Sequence, residues 1–148
     1  MRLGRFPLAA AAAAGAALSA YLTWVHWSGD LALCLGAGGC EAVQASRFAT
    51  VGPVPVALIG LAGFGTLLAT ALLWTRSRGW AGTVAFAIAL SATLYVAYLT
   101  YLELFVIGAV CPWCVAVAVC AVASLALVVR ELATEPSAPP PQDLPVSG

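Results

Sequence analysis

Four long apolar segments constrain the fold of this chain more than any other feature of its sequence. A helix needs about 20 mostly apolar residues to cross the hydrocarbon core of a bilayer, and each segment comes close to that length. Only 8% of the 148 residues are charged, against about a quarter in soluble domains. We therefore predict an all-α integral membrane protein, a bundle of four transmembrane helices formed by residues 1–130. The predicted spans are residues 8–27, 55–74, 80–107 and 112–129.

The first apolar segment also has features of a secretory signal peptide, because two arginines precede an alanine-rich run. The apolar core of a signal peptide is about 7–15 residues long. Here the apolar run continues through Trp24 and Val25, which is long enough to span a membrane. We interpret the segment as a retained first span.

The arginines predict the orientation of the bundle. Loops on the cytoplasmic side of a membrane carry an excess of basic residues, and five of the six basic residues fall on one side of the four-span arrangement. These are Arg2, Arg5, Arg76, Arg78 and Arg130, and only Arg47 falls on the other side. We expect a plasma (inner) membrane protein with both termini in the cytoplasm. The loop of residues 28–54 and Cys111 then share the extracytoplasmic face.

The remaining polar sequence is short. The net charge is zero, which argues against nucleic acid as a partner. Because the predicted helices span a bilayer, we expect membrane lipid to contact the protein. Residues 131–148 are rich in proline, and we predict a disordered cytoplasmic tail there.

Four of the five cysteines fall on the extracytoplasmic side of the predicted bundle. Cys34 and Cys40 lie in a glycine-rich loop, and Cys111 and Cys114 open the fourth span as Cys-Pro-Trp-Cys. Proline is tolerated at the first position of a helix, so Cys111 is expected at the helix N-terminus, where free N–H groups stabilise a thiolate. Two dithiols at one membrane surface favour a relay by thiol–disulfide exchange. The final electron acceptor of this relay is expected to be a lipid-soluble two-electron oxidant such as a quinone. No metal cofactor is expected.

Two other interpretations of the cysteines stay open. In both, the chain is a non-enzymatic membrane protein: in the first its cysteines form structural disulfides, and in the second they bind a metal. An oxidising compartment favours disulfides over reduced thiolate ligands, which makes the metal site the weaker option. Cys120 has no partner in the sequence and is interpreted as a buried structural residue.

The sequence resembles the vitamin K epoxide reductase family, in its short bacterial form without a fused thioredoxin domain. The resemblance covers about residues 8–130 and includes the four spans. Its motifs are Cys34-x5-Cys40, Ser46 six residues later, Gly52-Pro-Val-Pro55 before the second span, and Cys111-Pro-Trp-Cys114. It implies a four-helix bundle around a quinone pocket, capped by the extracytoplasmic loop and a short helix, which we expect within residues 41–50.

The resemblance also implies roles for individual residues. Cys34 and Cys40 are similar to the pair that exchanges with a separate thioredoxin-like protein of the DsbA type on the outer face. Cys40 then attacks Cys111, and Cys114 faces a quinone of the menaquinone, ubiquinone or vitamin K type. The resemblance makes the chain a quinone-dependent thiol oxidoreductase that generates disulfides.

Four further positions bear on the pocket. By the resemblance, Ser46 and Phe48 lie near the quinone ring. Ala118 stands where the vertebrate enzymes carry a tyrosine, which favours a plain quinone over the epoxide. Glu103 lies near the outer end of the third span. There it either delivers a proton to the quinone or is an interfacial carboxylate that reaches water.

Overall fold

The computed structural model describes residues 5–29, 39–73 and 80–134. Five α-helices follow one another in these ranges: α1 Arg5–Ser28, α2 Cys40–Gln44, α3 Val56–Leu73, α4 Trp80–Leu102 and α5 Pro112–Thr134. A π-helical turn, Glu103–Ile107, continues α4. Four helices are long and apolar enough to cross a membrane: Phe6–Ser28, Val56–Leu73, Trp80–Ile107 and Pro112–Thr134. The predicted all-α membrane fold with four spans is confirmed.

The four long helices form a ring. Helix α1 packs against α3 and α5, and α4 packs against α5 and α3. At one end, which we call the closed end, a cluster of buried residues from all four helices joins them. It consists of Leu8, Ala12, Leu67, Ala71, Ala81, Ala85, Ala89 and Val128. Because small side chains let helix backbones approach closely, the alanines hold this end tightly together.

The opposite end, which we call the thiol end, carries Cys111 and the connections between α1 and α3 and between α4 and α5. Helix α2 is shorter than the helix expected within residues 41–50, because the chain turns after Gln44. The Ser46 hydroxyl donates to the Val43 carbonyl at 2.7 Å, which favours a turn over further helix.

A small hairpin follows that turn, and the sequence did not predict it. Strands β1 (Thr50–Val51) and β2 (Val54–Pro55) pair antiparallel, with Thr50 opposite Pro55. Gly52 has a φ of 62°, the left-handed backbone that tight two-residue hairpin turns require. The hairpin leads directly into α3 and closes the thiol end beside α2.

The end of α4 is wider than an ordinary helical turn. In the π-helical turn the Glu103 carbonyl accepts the Gly108 N–H and, at 3.1 Å, the Ala109 N–H. Gly108 has a φ of 69° and reverses the chain toward α5. Single π turns inside helices are frequent at functional sites, and this one places Glu103 beside the start of α5.

Helix α5 begins at Pro112, as predicted from the preference of proline for the first helical position. It runs four residues beyond the predicted end of the membrane domain at residue 130, to Thr134. Its last turn contains Glu131, Leu132 and Ala133, all good helix formers. Residues 135–148, the rest of the predicted tail, lie outside the described residues.

Candidate thiol site and apolar cavity

The Cys-Pro-Trp-Cys motif forms the first turn of α5 at the thiol end. Cys111 directly precedes the helix, and its carbonyl accepts the Val115 N–H at 3.1 Å. The Cys111 side chain is fully buried and that of Cys114 is half-buried, and both are free thiols. Their side chains are hydrogen-bonded to each other, so the two sulfurs are placed for disulfide chemistry.

The start of α5 activates Cys111. The pKa of Cys111 is lowered from 9.0 to about 7, chiefly by the hydrogen bond from the Cys114 thiol and also by the backbone N–H groups of Cys114 and Trp113. Burial and the nearby Glu103 carboxylate act in the opposite direction and raise it. A substantial fraction of Cys111 is therefore thiolate at neutral pH, and the thiolate is the form that attacks disulfides. The backbone N–H groups at the start of α5 act in the direction that the sequence predicts, and the Cys114 thiol has the larger effect.

Glu103 contacts both cysteines of the motif. Its Oε2 accepts the Cys111 backbone N–H at 3.3 Å, and its carboxylate accepts a hydrogen bond from the Cys114 thiol. The residue is only 4% exposed, so it does not lie at an open helix end as the interfacial interpretation required. The single thiol hydrogen of Cys114 thus has two acceptors within reach, the Cys111 sulfur and the Glu103 carboxylate.

A cavity of about 590 Å³ lies inside the bundle next to this motif. That volume falls within the range of about 300–1,000 Å³ that is usual for small-molecule sites. Most of its wall is apolar, and all four long helices contribute to it. Four of the residues singled out in the sequence line it: Ser46, Phe48, Glu103 and Cys114. The cavity therefore suits a lipophilic molecule with a few polar atoms.

The cavity extends from the thiol end toward the closed end. Ser124 also lines it, and ten residues of α-helix separate Ser124 from Cys114, a rise of about 15 Å. The Ser124 hydroxyl is buried and has no hydrogen-bond partner among the described residues. Ile59 on α3 and Ala87 and Ser91 on α4 line the cavity and are exposed. The cavity wall is therefore partly open where α3 and α4 contribute to it.

The cap at the thiol end supplies the remaining predicted pocket residues. Ser46 and Phe48 follow α2 and are half-buried. The Arg47 guanidinium carbon lies 5.0 Å from the centroid of the Phe48 ring, within the range of a cation–π contact. Phe48 thus forms part of the cavity wall and also contacts the Arg47 cation.

Cys40 begins α2 and is fully buried. It is disulfide-bonded, whereas Cys111, Cys114 and Cys120 are free. Cys34, the other predicted loop cysteine, lies outside the described residues.

A close backbone contact brings the two cysteine motifs together. Gly39 packs directly on Val110, and a Cβ added at Gly39 would meet the Val110 carbonyl oxygen and lie 2.9 Å from its N and C atoms. These two residues immediately precede Cys40 and Cys111. The contact therefore holds the start of α2 against the start of the Cys-Pro-Trp-Cys motif.

Sequence reasoning did not identify every contact at the site. The Tyr21 ring on α1 lies 5.1 Å from the Trp113 ring, at an interplanar angle of 51°, and so supports the motif from the first span. Nothing local in the sequence relates these two aromatic residues. Cys120 is half-buried and is not part of the cavity wall.

Comparison with protein families finds a match over most of the chain. The model of the vitamin K epoxide reductase family matches residues 6–129 of the chain. The matched range contains the first three spans, the fourth span as far as residue 129, both cysteine motifs and the entire cavity wall.

Proposed function

The chain belongs to the vitamin K epoxide reductase family and is therefore a membrane thiol oxidoreductase, and we propose that it oxidises a thioredoxin-like protein and passes the electrons to a membrane quinone. The family is linked to quinones and to thioredoxin-like partners in general. The specific proposal is that electrons flow from the partner through this chain to the quinone, so that the chain generates disulfides in the partner.

One observation carries the proposal. Cys114 belongs to a dithiol and also forms part of the wall of a large apolar cavity inside the bundle. A thiol pair that only bridged two parts of the fold would need no cavity beside it. A quinone is apolar enough to reach the opening from the bilayer and accepts the two electrons that a dithiol yields.

The proposed electron path has three transfers. A reduced partner first reduces the Cys34–Cys40 disulfide, and the Cys40 thiolate then attacks the Cys111 sulfur of a Cys111–Cys114 disulfide, with Cys114 as the leaving thiolate. The Cys34 thiolate next attacks Cys40, which restores the Cys34–Cys40 disulfide and releases Cys111 as a thiolate. The contact of Gly39 with Val110 supports this pairing, because it keeps the residue before Cys40 against the residue before Cys111. In the last transfer the Cys111 and Cys114 thiols form a disulfide while the quinone becomes a quinol.

The cap residues have proposed binding roles. Phe48 provides an aromatic face for the ring, and Ser46 provides a hydroxyl oxygen near a quinone oxygen. The Ser46 proton is directed at Val43, so this hydroxyl is placed to accept a hydrogen bond from the quinol product.

The proposed location follows from the arginine distribution. We place the thiol end on the extracytoplasmic face and both termini in the cytoplasm of the plasma membrane, because five of the six basic residues belong to the other side. An exported thioredoxin-like partner then has direct access to the cap.

The test is to replace Cys114 with alanine and to measure quinone reduction by a reduced thioredoxin-like protein, with menaquinone and ubiquinone analogues in separate assays. We expect Cys114→Ala to abolish turnover, because it removes the thiol at the cavity. Cys120→Ala, on the same helix but away from the cavity, is the matched control and is expected to leave turnover unchanged. Undiminished turnover of Cys114→Ala contradicts the proposal.

Thiol alkylation before and after mild reduction separates this function from structural disulfides, and elemental analysis separates it from a metal site. A relay contains a readily reducible pair, whereas structural bridges resist the same treatment. Bound metal in stoichiometric amount supports the alternative.

A further inference from the structure

The carboxyl group of Glu103 is not needed for the electron path, yet its side-chain contacts are concentrated on the cysteines of that path. It accepts the Cys111 N–H at 3.3 Å and the Cys114 thiol hydrogen. No basic side chain among the described residues contributes to its electrostatic environment. A buried carboxyl group without a basic partner is costly, so a purely structural role explains its presence poorly.

The reaction proposed above creates a demand for protons inside the cavity. Reduction of a quinone to a quinol adds two electrons and two protons, and oxidation of a dithiol releases the same number of each. The cavity wall is mostly apolar, so a protein group has to carry a proton from sulfur to the quinone oxygen. Glu103 lines this cavity and contacts Cys114.

We propose that Glu103 accepts the thiol proton of Cys114 and delivers it to an oxygen of the quinone bound in the cavity, an inference that rests on the proposed function. The S–H bond of Cys114 breaks toward the carboxylate while the sulfur electrons leave for the ring. The resulting carboxylic acid then protonates a quinone oxygen and returns to the carboxylate. Starting from the form in which Cys111 is also protonated, the Cys111 thiol hydrogen goes to the other quinone oxygen as the S–S bond forms, and no further reductant is required.

The geometry suits a group that exchanges protons without moving away. The Cys111 N–H holds one carboxylate oxygen, Oε2, in place. The π-helical turn begins at Glu103, so the residue is fixed by backbone on one side and by the cysteine motif on the other. The carboxyl group therefore stays beside Cys114 in both of its protonation states.

The test uses two substitutions that separate proton transfer from positioning. Glu103→Gln keeps an oxygen that accepts the Cys111 N–H but cannot exchange a proton, and Glu103→Asp restores a carboxyl group one methylene shorter. Each purified full-length variant is fully reduced, mixed with a soluble menaquinone analogue, and followed by quinone absorbance through a single turnover. Glu41→Gln, an exposed acid on α2, is the matched control.

We expect Glu103→Gln to slow quinone reduction about 100-fold or more, the usual contribution of a positioned acid–base group, with unchanged quinone affinity. Glu103→Asp is expected to be faster than Glu103→Gln, because it can again carry a proton. The Glu41→Gln control keeps the wild-type rate. Thermal unfolding of each variant in detergent confirms that the bundle is intact.

Three outcomes overturn the inference: Glu103→Gln reduces quinone at the wild-type rate, it loses affinity instead of rate, or Glu103→Asp is no faster than Glu103→Gln. In each of these outcomes the wild type still reduces quinone, so the proposed function stands. If the reduced wild type and Glu41→Gln both fail to reduce quinone, the proposed function itself fails.

Discussion

The contact between Gly39 and Val110 predicts that Gly39→Ala uncouples the loop cysteines from the helix pair. An added Cβ would lie 2.9 Å from two backbone atoms of Val110, whereas ordinary contacts begin at 3.4 Å. The two segments must therefore separate by about half an ångström or more, and neither backbone can rotate away as a side chain can. The backbone of Gly39 itself is helical, with a φ of −87°, so alanine adds no conformational strain of its own.

The magnitude follows from the cost of overpacking. Inserting a methyl group into a well-packed contact costs about 1–3 kcal/mol. At about 1.4 kcal/mol for each factor of ten, the docked cap becomes about 5- to 150-fold less populated. Exchange between Cys40 and Cys111 is expected to slow by the same factor, because it requires that docked arrangement.

Two assays on the same protein locate the defect. Turnover driven by a reduced thioredoxin-like partner is expected to fall in Gly39→Ala, whereas single-turnover quinone reduction by the pre-reduced Cys111–Cys114 pair stays at the wild-type rate. Gly65→Ala is the matched control, because a Cβ at Gly65 meets no atom within 4 Å. Wild-type partner-driven turnover in Gly39→Ala refutes the reasoning, and an equal loss in both assays shows general damage to the site instead.

Two other predictions concern the thiol motif and the cavity. The alkylation rate of reduced Cys111, followed by peptide mass spectrometry, is expected to rise with pH with a midpoint near 7, because its pKa is lowered to about 7 and only the thiolate reacts. In Cys114→Ala the midpoint is expected to move up toward the ordinary 9.0, because the main stabilising hydrogen bond is lost; an unmoved midpoint contradicts this explanation. Gly15→Ala is expected to weaken quinone binding by about fivefold or more, an overpacking cost of about 1 kcal/mol, since the new Cβ would meet the Phe64 ring, which is part of the cavity wall. Equilibrium titration with a quinone analogue measures this effect, and unchanged affinity shows that the ring moves elsewhere.

The membrane spans could be predicted from the sequence because each is encoded by a continuous run of residues. A run of apolar residues as long as a bilayer is thick has few alternatives, and Pro112 marks the start of α5 by its own stereochemistry. The hairpin around Gly52 and the π-helical turn are only a few residues long. Their form depends on packing at the thiol end, which no local pattern records.

The site was predictable in its parts but not in its contacts. Family resemblance implied that Ser46 and Phe48 belong to a pocket, and both line the cavity. Glu103 was recognised as an unusual charge, whereas its two hydrogen-bonding partners follow from the π-helical turn. The role of Gly39 in fitting the cap against Val110 depends on two segments about 70 positions apart in the sequence, so it emerges only from the folded chain.

The buried alanine cluster at the closed end holds the four helices together, away from the thiol end. Residues that stabilise the bundle therefore differ largely from residues that select a substrate. One half of the bundle keeps the helices together, so the other half is free to be hollow. Substitutions around the hollow half can change which lipophilic oxidant fits without dismantling the protein. Under the proposed function, a small four-helix scaffold of this kind can adapt to a different quinone pool through a few wall residues alone.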